Sequence, residues 1–213
     1  MDIAIAGGHG QIAQHLIPLL VSRGDRVRGL IRKPEQADDL RNLGAEPVLL
    51  DLENADDSEV AEAVRGADAI VFAAGAGPGS GPERKMRVDR DGAVKLTRTG
   101  VGRFVMLSSM GADDPPEGDE TFAVYLRAKA QADDAVKASG MRYAILRPGA
   151  LTDEAATGRV EIAPSVPRGE IPREDVARIL AEILAHDEID ALVVEATAGT
   201  TPVADAVSGM LGD

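Results

Sequence analysis

The chain has 213 residues, 44% of them hydrophobic, which is enough for one well-filled domain and too little for a cofactor domain plus a sizeable separate substrate domain. Its formal net charge of −13 and pI near 4.7 disfavour nucleic acid and anionic membrane surfaces as partners. With no cysteine, and three histidines (His9, His15, His186) at no ligand spacing, neither a disulfide, a thiolate nucleophile nor a metal site is expected.

The chain opens on a short apolar strand, Ile3 to Ala6, that runs into Gly7, Gly8 and Gly10 and then into a helix with Ile12, Leu16, Leu19 and Leu20 on one face. Two spellings of a dinucleotide fingerprint coexist, Gly8-x-Gly10-x-x-Ala13 and Gly7-x-x-Gly10-x-x-Ala13, with Ala where close helix packing alone is required. Such a turn brings backbone close to a pyrophosphate and aims the positive end of the helix at it. This apolar start is too short and Gly-interrupted for a signal peptide. No run approaches the ~20 apolar residues of a membrane span, so a cytoplasmic protein is expected.

The alternation then continues. Strands are predicted at Arg26–Ile31, Glu46–Leu50, Ala69–Phe72, Arg103–Leu107, Tyr143–Leu146, Arg159–Ile162 and Leu192–Glu195. Helices are predicted at Glu35–Leu43, Ser58–Val64, Arg84–Arg98, Thr121–Ala138 and Arg173–Leu184, with a last one from Pro202. The loop Ala74–Pro82 is expected as a flap, and Gly111–Glu120 as an acidic loop. Apolar strands without a polar face, alternating with helices, predict a single α/β domain over 1–213. Its doubly wound parallel sheet carries helices on both faces, a Rossmann fold, with a small C-terminal substrate lip.

In such sheets ligands bind beyond the carboxyl ends of the strands. The predicted cofactor crevice therefore gathers Gly7, Gly8, Gly10, Gln11, Ile12, Arg32, Lys33, Asp51, Leu52, Ala73, Ala74, Gly75, Ser108, Pro148 and Gly149. An acidic residue at the end of the second strand would select NAD; here stand Arg32 and Lys33, which suit a 2′-phosphate and predict NADP. Asp51 would sit beside the adenine. On the long helix, Tyr125 and Lys129 are four apart and share a face, which puts a positive charge next to a phenol able to pass a proton. Lys129 would also hold the nicotinamide ribose. Ser109, after the fifth strand, is placed to hydrogen-bond the same substrate oxygen.

These residues resemble the short-chain dehydrogenase/reductase superfamily, most closely its atypical, NmrA-like branch. The resemblance runs through Gly-Gly-His-Gly-Gln-Ile-Ala, Leu-Ile-Arg-Lys-Pro, Leu-Leu-Asp-Leu, Val-Asp-Arg-Asp-Gly-Ala, Met-Leu-Ser-Ser, Tyr-Leu-Arg-Ala-Lys and Leu-Arg-Pro-Gly-Ala-Leu-Thr-Asp. It implies a Ser109–Tyr125–Lys129 set completed by Asp89, where the better-known enzymes carry Asn, and a helix before Gly100 about one turn (~4 residues) shorter than usual. The expectation is an NADP-dependent oxidoreductase acting on a small carbonyl, quinone or flavin-like substrate. The alternatives are an NADP-binding redox sensor without turnover and, with less support, a sugar epimerase or dehydratase. Oligomeric state has no signature in the sequence.

Overall fold

The computed structural model describes residues 1–77 and 79–211, so Pro78 of the expected flap and the last two residues lie outside it. Its first strand, β1 (Asp2–Ala6), is buried on both faces: Ile3 and Ile5 enter one hydrophobic layer and Ala4 and Ala6 the other. That requires cover on each side, and α1 (Gln11–Ser22) supplies it on the Ile3 face through Ile12, Ala13, Leu16, Ile17 and Leu20.

The remaining elements repeat this plan. They are β2 (Arg26–Ile31), α2 (Ala37–Asn42), β3 (Glu46–Leu49), α3 (Asp57–Ala63), β4 (Ala69–Phe72), α4 (Pro82–Lys85), α5 (Gly92–Thr97), β5 (Arg103–Leu107), α6 (Thr121–Lys137) and β6 (Arg142–Pro148). After them come β7 (Ala150–Thr152), β8 (Arg159–Ala163), β9 (Glu170–Pro172), α7 (Arg173–Ala185), β10 (Ala191–Ala198), β11 (Thr201–Pro202) and α8 (Val203–Ser208).

A nine-stranded sheet in the order β11-β8-β10-β6-β5-β4-β1-β2-β3 forms the middle layer. From β3 to β10 the pairs are parallel, with β1 between β2 and β4. The chain reverses its winding at β1, so the loops after β1 and β4 part and leave a crevice at their carboxyl ends. The doubly wound α/β fold is thus as the sequence predicts.

Three local features differ from expectation. The edge beyond β10 is antiparallel, because β8 returns against β10 and β11 against β8. β7 and β9 form a separate two-stranded parallel sheet above the strand ends. The helix expected over Arg84–Arg98 is interrupted: between α4 and α5, Met86–Asp91 winds as a π-helix. The wider π turn accommodates an extra residue and rotates the side chains that follow, a distortion frequent at functional sites. It leaves Asp89 buried. The preceding loop is tied down at Ala76, whose N–H donates to Asp89 Oδ2 at 3.0 Å.

Candidate functional site

Two cavities open at the parting of β1 and β4. The first, about 320 Å³, is lined by Gly7, Gly10, Arg32, Asp51, Leu52 and the run Ala73–Gly75, among others. Gly7 has φ +78, and a Cβ there would lie 2.7 Å from Ala74 Cα, so glycine alone lets the two loops touch. Gly10 is the N-cap of α1 and offers no side-chain cap, while its own N–H donates to Gly7 O at 2.8 Å. The first-turn N–H groups of α1, with the positive end of the helix behind them, are left for a ligand. This cradle fits a pyrophosphate.

At the other end of this cavity Arg32 is exposed and, among the described residues, has no side-chain hydrogen bond or ion pair. Asp51 is held in place, accepting from Glu53 N at 3.1 Å and Asn54 Nδ2 at 2.8 Å. Sequence reasoning missed Glu53 and Arg84, which also line this cavity. Glu53 accepts from Arg84 at 3.1 Å and from Arg87 at 2.9 Å, and the Arg84 hydrogen bond leads the effects that hold its carboxyl below the usual range. This clasp joins the segment after β3 to α4 and the π turn. No local signal announces it, since the partners are far apart in the chain.

The second cavity, about 580 Å³, shares Gly10 and Ala73–Gly75 with the first and adds Gln11, Ile12, Asp89, Ser108, Tyr125 and Lys129. Lys129 is only 4% exposed and Asp89 only 1%. The lysine Nζ donates to Leu107 O at 3.0 Å, lies 3.5 Å from Asp89 Oδ1, and stands 5.4 Å over the Phe72 ring and 5.9 Å over that of Tyr125. Asp89 therefore joins two things: one oxygen fixes Ala76 in the loop after β4, and the other faces the ammonium without a hydrogen bond of its own. Burial of a charge is tolerated only with such a partner.

The serine assignment needs correction. Ser108 lines the cavity and is buried, its side chain close enough to Asp133 to act on that carboxyl, whereas Ser109 does not line it and its hydroxyl donates to Met110 O at 3.3 Å. One residue of rotation at the strand end exchanges the two. Beyond Lys129 on the same stripe of α6 lies Asp133, fully buried and accepting from Arg147 Nε at 3.0 Å. Burial raises its pKa, while Ser108 and Arg147 pull the other way.

Four further predicted residues line neither cavity. Lys33 pairs with Glu35 at 3.9 Å, and Arg84 of the first cavity is held by Glu53, which leaves Arg32 as its arginine without a carboxylate partner among the described residues. Gly8 is a packing glycine: its Cβ would meet Gly29 Cα at 2.7 Å, and its N–H donates to Leu30 O at 3.0 Å. Gly149 serves the lip, since a Cβ there would lie 2.3 Å from Gly169 O. Pro148 is a buried residue of β6 whose carbonyl accepts from Met110 N at 3.1 Å.

Residues 7–187 match the NAD(P)H-binding family. An uncharacterised sugar epimerase of Bacillus subtilis, YhfK, is 38% identical over 212 residues, 97% of this chain and 99% of its own. A solved structure from Bacillus halodurans, described as an NAD-dependent epimerase/dehydratase, superposes with a TM-score of 0.91 at 35% identity, covering 98% of this chain and 99% of that one. The anaerobillin reductase ChuY of Escherichia coli O157:H7 superposes with a TM-score of 0.77 at 25% identity, over 93% of this chain and 97% of that one. With the strand order, the glycine cradle and these matches together, the chain belongs to the NAD(P)H-binding family.

Proposed function

We propose that the protein is an NADPH-dependent reductase of a carbonyl, quinone or flavin-like acceptor. The observation that carries this reading is the joining of the two cavities at Gly10 and Ala73–Gly75, with Arg32 at one end and the Tyr125–Lys129 pair at the other. NADPH, when bound, supplies the hydride.

The chain's own residues do the rest. The α1 N-terminus and the Gly7–Gly10 turn hold the phosphates, and Arg32 offers a bidentate, charge-assisted contact to a 2′-phosphate. Tyr125 donates its hydroxyl proton to the substrate oxygen, and Ser108, which lines the same cavity, hydrogen-bonds the same oxygen. The Lys129 ammonium, close to the ring, stabilises the phenolate that remains until solvent returns a proton. Asp89 is a positioning residue: it neutralises Lys129 and fixes the loop at Ala76 rather than relaying protons.

Tyr125→Phe separates the readings. It keeps the ring and should keep NADPH affinity, yet lose about 100-fold in kcat toward a carbonyl substrate, the usual scale of general acid catalysis. Equal activity of wild type and variant would favour flavin or quinone reduction, where solvent supplies the protons. Tight NADPH binding without turnover across a broad panel would favour a redox sensor. Similarity to the B. subtilis sugar epimerase, and to the B. halodurans epimerase/dehydratase, favours a sugar epimerase as the second reading. An epimerase returns the hydride to its own substrate, so turnover of a nucleotide sugar with no net NADPH oxidation would establish it.

A further inference from the structure

The mouth of the second cavity carries an apolar patch. The chain has three phenylalanines, and two of them, Phe72 and Phe104, are buried and stack with ring centroids 6.5 Å apart. The third, Phe122, lines the cavity and is 59% exposed. Its ring lies 6.0 Å from that of Tyr125, and Leu151, 37% exposed, lines the same space. Large apolar side chains left in water around a concave site mark a surface for an apolar ligand.

Charge adds a second constraint. Three cations line the cavity: Lys85, Lys129 and Arg173. Lys129 has Asp89 at 3.5 Å, and Arg173 has Asp153 at 2.7 Å. Lys85 has no carboxylate within ion-pair distance among the described residues, although acids outnumber bases 36 to 23 in the chain. Its Nζ stands 5.1 Å over the Tyr125 ring and makes a long hydrogen bond, 3.4 Å, to Gly77 O. A cation so placed is a ready partner for a ligand anion beside the reacting centre.

From these observations we infer that the second cavity takes an aromatic or otherwise apolar acceptor that bears one carboxylate- or sulfonate-type anion, with that anion on Lys85 and the apolar face on Phe122 and Leu151. The inference rests on the reductase reading for the chemistry, but its binding half stands alone. A nucleotide sugar, with its hydroxyls and diphosphate, matches poorly this combination of an apolar wall and, among the described residues, one cation without a carboxylate partner.

The test uses two dyes with the same rings, 1-anilinonaphthalene-8-sulfonate and the uncharged N-phenyl-1-naphthylamine, titrated by fluorescence with NADP⁺ saturating the cofactor site. Lys85→Met should weaken the sulfonate dye about tenfold and leave the neutral dye unchanged. Phe122→Ser should weaken both, and millimolar UDP-glucose should displace neither. Unchanged affinity of the sulfonate dye for Lys85→Met, or its displacement by UDP-glucose, would overturn the inference. NADP⁺ binding is followed in the same samples by calorimetry. Failure there would sink the cofactor reading, and the dye titrations repeated without NADP⁺ would still decide the second cavity by the same criteria.

Discussion

The two cavities are built from different materials. The first is mainly backbone: a glycine turn, a helix N-terminus and the ends of neighbouring strands, with a few side chains at its far end. The second depends on side chains brought from separate elements, with Lys129 and Tyr125 from α6, Asp89 from the π segment and Ser108 from the β5 end. A backbone site comes with the fold, because strand ends and helix dipoles are fixed by the sheet itself. A side-chain site has to be held by pairings that the fold alone does not guarantee.

The largest expected effect therefore lies in the second cavity. Asp89→Ala removes the partner of a buried lysine and the acceptor of Ala76 N–H together, and should lower unfolding free energy by about 3–5 kcal/mol in urea denaturation. Asp89→Asn keeps an oxygen for Ala76 and should fall between. An Asp89→Ala protein as stable as wild type would mean that the pair holds nothing.

A smaller effect sharpens the backbone side of the comparison. Gly8 and Gly10 stand in one motif, but a Cβ on Gly8 meets Gly29 backbone at 2.7 Å, and one on Gly10 meets Gly7 O at 3.1 Å. Gly8→Ala should cost about 1–3 kcal/mol of stability through overpacking. Gly10→Ala should stay within ~1 kcal/mol of wild type in the same denaturation and weaken NADP⁺ in titration calorimetry. Equal losses of stability would make both glycines structural.

The same division explains what was legible in the sequence. The first strand, the glycine turn and the following amphipathic helix are local patterns, and the structure gathers Gly7, Gly10, Arg32 and Asp51 around one cavity. Tyr125 and Lys129 were legible because four-residue spacing on a helix is also local. The π segment was not, since nothing in the composition of Arg84–Arg98 marks a single wider turn inside a helical run. Ser108 and Ser109 differ by one residue at a strand end, where twist decides which one faces the cavity. β7 and β9 are three residues each, too short for alternation to show, and Gly149 is explained only by its approach to Gly169, which is tertiary. The Glu53–Arg84–Arg87 clasp is likewise a pairing across distant segments.

The smallest effect tests the central claim most directly, because it asks whether the joined cavities form an NADP site at all. Titration calorimetry of NADPH and NADH should give NADPH the tighter Kd by at least about tenfold, roughly 1.4 kcal/mol, and Arg32→Ala should erase that preference while leaving NADH unchanged. Equal affinities in the wild type, or a preference that survives the loss of Arg32, would contradict the NADP assignment.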